Sequence, residues 1–148
     1  MDGYKHILLA TDFSEHDVLV AQRAKALSTT YQAKLSIVHV AENLPISTSI
    51  MDGQILPFDI DLGEELSRLG KERLAKQGAE LGVADDDLWF VIGSPKLEIV
   101  ALAQENAVDL IVVGSHGRHG LALLLGSTAN GVLHHAQCDV LAVRLQDN

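Results

Sequence analysis

The sequence of 148 residues, 47% of them hydrophobic, predicts one domain spanning residues 1–148, because this length supports one substantial core and is short for two. A net charge of −9 without any basic cluster argues against a nucleic-acid partner, since non-specific nucleic-acid binding depends on basic groups that neutralise phosphates. No signal peptide follows Met1, no apolar run approaches the roughly 20 residues of a membrane helix, and the single cysteine fits a reducing compartment, so we expect a cytoplasmic protein without membrane insertion.

The first predicted strand, residues 5–10, is almost continuously apolar, which is typical of a parallel strand covered on both faces. Asp12 follows the strand and has two interpretations, a turn residue before a helix or a polar contact to a ligand. Ser14 and Asp17 have the spacing of a capping box for the first helix. The predicted inner face of that helix comprises Val20, Ala24, Leu27 and Tyr31.

Residues 35–40 predict the second strand, and we interpret His39 within it as a satisfied core histidine. Residues 41–63 predict a long irregular connection, which is either a lid over a site or plain surface. Residues 64–81 predict a helix with oppositely charged residues four apart. Its apolar side comprises Leu66, Leu69, Leu74 and Leu81, while Gly70 and Gly78 weigh against a single unbroken helix.

The third strand is predicted at residues 88–92 and ends at Gly93. Ser94 and Pro95 then have the order of a helix cap and a first helical residue, so a helix is predicted at 96–106. Because Gly93 and Ser94 follow a strand, they either start this helix or approach a ligand, and the helix start is the favoured interpretation.

Residues 110–113 predict the fourth strand, which stops at Gly114 and is followed by further glycines, including Gly117. Gly126, Ser127 and Thr128 come where the next helix should start. Such a segment offers unobstructed backbone N–H groups and a helix N-terminus to a phosphate, although tight turns and ordinary capping also use these residue types. Arg118 is either a cation for that phosphate or a solvated residue. Neither GxxxxGK[ST] nor GxGxxG is present.

The last predicted helix buries Ala129, Leu133 and Ala136 and is followed by a strand at residues 140–143. Strand and helix therefore alternate throughout, which predicts an α/β fold with a parallel sheet and helices on both faces. We expect Cys138 to be a small buried or interface residue. His134 and His135 suggest a role at the helix end, and no metal site is expected, because adjacent helical side chains point about 100° apart.

Four segments resemble the universal stress protein family and together cover almost the whole chain. They are KHILLATDFS, LSIVHVAE, GSPKLEIVALAQENAVDLIVVGSHG and LLLGSTANGVLHHAQCDVLAVR. The resemblance implies a five-stranded Rossmann-like fold and a homodimer that pairs through the last strand. In one branch of the family it also implies an adenine nucleotide held at the strand ends.

The nucleotide-binding branch is marked by G-x2-G-x9-G-[ST], and the matching residues here are Gly114, Gly117, Gly126 and Ser127. Residues 118–125 separate the second glycine from the third, which makes this spacing one residue shorter than the motif. By resemblance, Ala10 and Asp12 lie near the base and ribose and Val40 contacts the adenine. The ribose and phosphates are held by Gly114, Gly117, Gly126, Ser127 and Thr128.

Three functions are compatible with the sequence. The leading hypothesis is a dimeric stress-response binding module for ATP, or for AMP or ADP, with or without Mg²⁺. The second is a slow ATPase or autokinase, for which only His116, Arg118 and His119 are nearby candidates, and no catalytic residue is assigned. The third is an interaction protein that works without a nucleotide.

Overall fold

The computed structural model describes residues 3–42, 50–51, 54–55, 58–115 and 126–145. The strands are β1 (His6–Ala10), β2 (Lys34–Ala41), β3 (Ile50–Met51), β4 (Gln54–Ile55), β5 (Leu88–Ile92), β6 (Leu110–Gly114) and β7 (Asp139–Val143). The helices are α1 (Asp17–Tyr31), α2 (Phe58–Leu81), α3 (Pro95–Glu105) and α4 (Ser127–His135), and a 3-10 turn at Asp85–Asp87 precedes β5. The two-residue strands β3 and β4 form an antiparallel pair inside the stretch predicted to be irregular.

Five parallel strands form the main sheet in the order β5-β2-β1-β6-β7. The predicted α/β fold, with a five-stranded parallel sheet and helices on both faces, is therefore confirmed. The first strand of the chain lies in the centre, and the strands added after it extend the sheet in both directions. This order places β1 beside β6, although every element from α1 to α3 lies between them along the chain.

Alternating side chains of the sheet enter two apolar clusters, one on each face. Ile7 and Leu9 of β1 pack with residues of α1 and α2, whereas Leu8 packs with residues of α3 and α4. The side chains of Ile7, Leu8 and Leu9 are all fully buried. Continuous apolar strands are thus explained by helices that cover both faces of the sheet.

The predicted helix α2 is confirmed and continues unbroken through Gly70 and Gly78, but it begins at Phe58 rather than at residue 64. Its glycines permit close packing on β5. A Cβ atom at Gly78 would lie 2.7 Å from the Cδ atoms of Leu88, and one at Gly70 would lie 2.6 Å from the ring of Phe90.

Several residues predicted to face inward are exposed. Leu66 and Leu69 of α2 are 41% and 42% exposed, because the side of this helix that faces the sheet is the narrow row formed by Gly70, Leu74 and Gly78. The other two are Tyr31 at 38% and Leu133 at 43%, and Val132 is the buried residue beside Leu133. In the described part of the chain, no helix has the length and apolar character needed to cross a membrane.

Candidate functional site

Asp12 stands in a tight turn directly after β1. The Ser14 backbone N–H donates a hydrogen bond to Asp12 Oδ1 at 2.9 Å, and the Phe13 N–H donates to Thr11 Oγ1 at 3.4 Å. The turn interpretation of Asp12 is therefore confirmed. An ionised carboxylate accepts up to about four hydrogen bonds, so this contact leaves Asp12 able to accept others from a ligand.

Asp17 belongs to a buried cluster rather than to a capping box. The helix α1 begins at Asp17 with His16 at the N-cap position, so the predicted capping box of Ser14 and Asp17 is wrong. Asp17 is 8% exposed, and its carboxylate accepts hydrogen bonds from Thr11 Oγ1 and, at 2.8 Å, from Gln77 Nε2. These two donors hold the carboxylate inside the protein, where burial raises its pKa and the hydrogen bonds offset that shift only in part.

His39 is a satisfied histidine, as predicted. Its Nδ1 atom lies 2.8 Å from the carbonyl oxygen of Thr11. Its ring packs against the rings of Phe13 and Phe90, with centroids 4.2 Å and 5.8 Å away. The side chain thus connects β2 to the turn that contains Asp12.

The glycine segment, residues 114–126, contains the glycines of the family motif. Its two flanks are joined by hydrogen bonds. The Gly126 N–H donates to the Ser115 carbonyl oxygen at 2.8 Å, and the Ser115 N–H donates to the Val143 carbonyl oxygen at 2.8 Å. The Leu145 N–H donates to Ser115 Oγ at 3.1 Å. The start of α4 is therefore fixed beside the end of β6. The site candidates Gly117 and Arg118, with His116 and His119, lie outside the described residues.

The helix α4 begins where the sequence predicts. Gly126 occupies the N-cap position, Ser127 is the first helical residue, and the Asn130 N–H donates to the Gly126 carbonyl oxygen at 2.9 Å. Ser127 is exposed and Thr128 is half-buried. The first N–H groups of a helix have no partner within it, so those of α4 are oriented to bind an anion at this end.

The topological switch point of the sheet lies between β1 and β6. The last paired residues of these two strands are Leu9 and Val112, whereas β1 continues to pair with β2 through Ala10 and β6 continues to pair with β7 through Gly114. The chain then leaves β1 toward α1 on one face and β6 toward α4 on the other. Ligands of open α/β sheets bind at such a switch point.

A cleft of about 360 Å³ adjoins the start of α4. It is lined by Glu42, Gly93, Ser94, Pro95, Lys96, Ser127 and Thr128. It thus lies between the N-terminal ends of α3 and α4, beyond the ends of β2 and β5. Sequence reasoning missed Glu42 and Lys96, because nothing local to either residue signals a neighbour on α4.

The remaining site candidate, Val40, lies in β2 and is 7% exposed, with its side chain in the cluster that α3 and α4 cover.

Both His134 and His135 lie in the last turn of α4, as expected for helix-end residues. Cys138 is half-buried against the same cluster, and this burial raises the pKa of its thiol. Among the described residues, no three His, Cys, Asp or Glu side chains are grouped closely enough to hold a metal.

The family model of the universal stress proteins matches residues 3–144. The chain belongs to the universal stress protein family. Universal stress protein A homolog 2 of Coxiella burnetii is 40% identical over 147 residues, which cover 99% of each chain. Universal stress protein MJ0577 of Methanocaldococcus jannaschii is 29% identical in an alignment 159 positions long, which covers 98% of each chain.

Solved structures of universal stress proteins have the same fold. That of the Methanocaldococcus jannaschii protein has a TM-score of 0.79 at 30% identity and covers 99% of this chain and 100% of its own. A universal stress protein crystallised in complex with cAMP has a TM-score of 0.64 at 27% identity, covering 98% of this chain and 100% of its own. Membership in the family agrees with the fold.

Proposed function

We propose that this universal stress protein binds an adenine nucleotide, foremost ATP with Mg²⁺, at the carboxyl ends of β1 and β6, and acts in the cytoplasm as a dimeric regulatory module. Ala10 and Asp12 lie near the base and ribose, and Val40 contacts the adenine near the end of β2. The phosphates and ribose are held by Gly114, Gly117, Arg118, Gly126, Ser127 and Thr128.

The parting of β1 and β6 is the observation that carries this proposal. Pairing between these strands ends at Leu9 and Val112, while each strand continues to pair with its outer neighbour. A ligand that enters between Ala10 and Gly114 meets the Asp12 carboxylate on one side. On the other side it meets the start of α4, which the hydrogen bond between Gly126 and Ser115 fixes at that edge.

The cAMP complex of a family member supports an adenine nucleotide as the ligand class. The cleft beside Ser127 and Thr128 favours a nucleotide with several phosphates. Its volume of about 360 Å³ provides room beyond the phosphate closest to the ribose. Lys96 and Glu42 both line the cleft, so its attraction for an anion depends on Lys96 reaching an outer phosphate directly and not on a net positive charge.

The test is to denature freshly purified protein and analyse the released small molecules by liquid chromatography and mass spectrometry. Protein found empty is then titrated with ATP and Mg²⁺ by calorimetry. The proposal predicts one adenine nucleotide per chain, either released or bound in the titration. An empty protein that takes up no ATP would instead favour the nucleotide-independent interaction protein.

The dimer forms through β7, which is the last strand of its sheet. The Val143 carbonyl faces β6, since it accepts the Ser115 N–H, so by alternation the backbone groups of Ala142 face the open edge. Light scattering of the purified protein should give twice the chain mass of 15.9 kDa. Ala142→Pro removes an outward N–H and should shift the protein toward monomer. A wild-type mass equal to one chain contradicts the dimer.

A further inference from the structure

Phe13 adopts a backbone conformation that its side chain disfavours. Its φ angle is +58°, in the left-handed region, which a bulky non-glycine residue rarely occupies. Strained residues of this kind persist only where the surrounding structure holds them, and they concentrate at binding and catalytic sites. Phe13 directly follows Asp12, the proposed ribose contact, so the contacts that hold Phe13 also hold the turn that contains Asp12.

Arg73 of α2 contacts Phe13 in two ways. Its Nη2 donates a hydrogen bond to the Phe13 carbonyl oxygen at 3.2 Å, and its guanidinium carbon lies 4.6 Å from the centre of the Phe13 ring. The first contact fixes the backbone, and the second is a cation–π interaction with the side chain. A guanidinium makes both at once because it is planar and carries several donors.

The same turn is held from β2. The ring of His39 packs against Phe13 with centroids 4.2 Å apart, and its Nδ1 atom lies 2.8 Å from the Thr11 carbonyl oxygen. Asp12 therefore lies between two residues whose carbonyl groups are each contacted by a side chain from another element. Its own carboxylate is oriented by the Ser14 N–H at 2.9 Å.

We infer that Arg73 is a positioning residue of the nucleotide site, which acts through Phe13 to hold the Asp12 carboxylate toward the ribose hydroxyls. This inference rests on the proposed function for the identity of the ligand. The positioning of Asp12 itself exists in the empty protein, and it can be measured there.

Three variants separate this role from a loss of charge. Arg73→Met removes the hydrogen bond and the cation but keeps a long apolar side chain. Arg73→Lys keeps the charge and loses the planar fork, so we expect it to resemble Arg73→Met more than wild type. Arg68→Met is the matched control, because Arg68 lies on the same helix, is similarly exposed and pairs with Glu65 and Glu72 rather than with the turn.

The first readout is proton exchange of the Ser14 amide, followed by NMR in protein without nucleotide. We expect Arg73→Met to accelerate this exchange about fivefold, which corresponds to the loss of one exposed cation–π contact. The exchange of core amides such as that of Ile111 should stay unchanged. Arg68→Met should leave both unchanged. Unchanged Ser14 exchange in Arg73→Met would overturn the inference, whether or not the protein binds a nucleotide.

The second readout is the ratio of the dissociation constants of 2′-deoxy-ATP and ATP. A mispositioned Asp12 loses its contact to the ribose, so in Arg73→Met we expect ATP affinity to fall about fivefold while 2′-deoxy-ATP affinity falls less. Equal losses for both ligands would mean that Arg73 binds the phosphates directly, and would overturn the positioning role. Absence of ATP binding in wild type would refute the proposed function instead, and the amide exchange would still decide the role of Arg73.

Discussion

The backbone N–H of Gly126 donates a hydrogen bond to the carbonyl oxygen of Ser115 across 2.8 Å. This contact joins the end of β6 to the start of α4 although ten residues lie between them in the sequence. It fixes the first turn of α4 at the edge of the sheet where β1 and β6 part. The glycine segment, one residue shorter here than the family motif, is therefore closed at its base by a backbone contact that needs no particular side chain.

Side chains added at the glycines should block the proposed nucleotide site. Gly117→Val and Gly126→Val each place a branched side chain where the backbone must approach a phosphate, so we expect calorimetry to detect no ATP binding. Far-ultraviolet circular dichroism should stay as in wild type. Gly63→Val is the control, since a Cβ atom at Gly63 has no neighbour within 4 Å. Wild-type ATP affinity in both glycine variants would contradict the assignment.

Lys96 should discriminate nucleotides by their number of phosphates. If the cleft receives the outer phosphates, Lys96→Met should weaken ATP binding roughly five- to tenfold, the effect of one charge-assisted hydrogen bond at an exposed site. The affinity for AMP should change by less than about twofold, because AMP does not reach the cleft. Lys76→Met on α2 removes the same charge elsewhere and serves as the control. Equal losses for AMP and ATP would place Lys96 outside this role.

Gly131 should matter for the packing of α4 on α3. A Cβ atom at Gly131 would lie 2.7 Å from both Cβ and Cδ of Lys96, so Gly131→Ala forces the two helices or the lysine stem to move. We expect the free energy of unfolding to fall by about 1–2 kcal/mol in denaturant titrations. Gly63→Ala in α2, where the space is open, should instead raise it by up to about 1 kcal/mol. Equal effects at the two positions would contradict close packing at Gly131.

Stability should depend on pH through Asp17. Its pKa is raised in the folded protein, chiefly by burial, so the folded state binds this proton more tightly than the unfolded state. The stabilisation that results is present below the unfolded pKa of about 3.9 and is lost as the pH rises through the folded pKa. We therefore expect wild type to gain stability relative to Asp17→Asn as the pH falls from neutral toward 4.

The Asp17→Asn variant tests this because an amide keeps the acceptor for Thr11 and Gln77 but carries no charge. Gln77, which donates to Asp17, also has its Oε1 buried without a hydrogen-bond partner among the described residues, and that oxygen is an acceptor of the kind an amide N–H requires. Asp85→Asn is the control for the loss of an exposed carboxylate. A difference between wild type and Asp17→Asn that does not change with pH would show that Asp17 carries no shifted proton.

The order of elements could be predicted because it depends on local patterns. Continuous apolar strands, helical spacing and the residues Gly126 and Ser127 each report on a few neighbouring positions, and the parallel sheet follows from their alternation. The prediction of a capping box was wrong for a non-local reason, because the Asp17 carboxylate accepts a hydrogen bond from Gln77, which lies 60 residues away in the sequence. The predicted burial of Leu66 and Leu69 was wrong because α2 packs on the sheet through the face that contains Gly70 and Gly78.

The residues of the candidate site that the sequence did not reveal depend on distant contacts. Arg73 lies 60 residues from Phe13, and no periodicity in the sequence connects them. The sequence around Lys96 indicates only an ordinary helix residue. The contact of Lys96 with α4 arises from close packing at Gly131, which is distant in the sequence. Asp12, Gly114 and Gly126 could be selected because strand ends and helix starts have local signatures. Which strands would be neighbours depends on the crossover from β5 through α3 to β6.

A titration of ¹⁵N-labelled protein with ATP and Mg²⁺, followed by amide chemical shifts, tests the location of the site most directly. We expect the largest shifts at Gly114, Gly126, Ser127 and Thr128, with the Ser14 amide also responding through Asp12. Amides at the amino ends of the strands, such as those of Lys34 and Asp109, should stay unchanged. Shifts confined to those amino ends, or no shifts at saturating ATP, would contradict nucleotide binding at the carboxyl ends of β1 and β6.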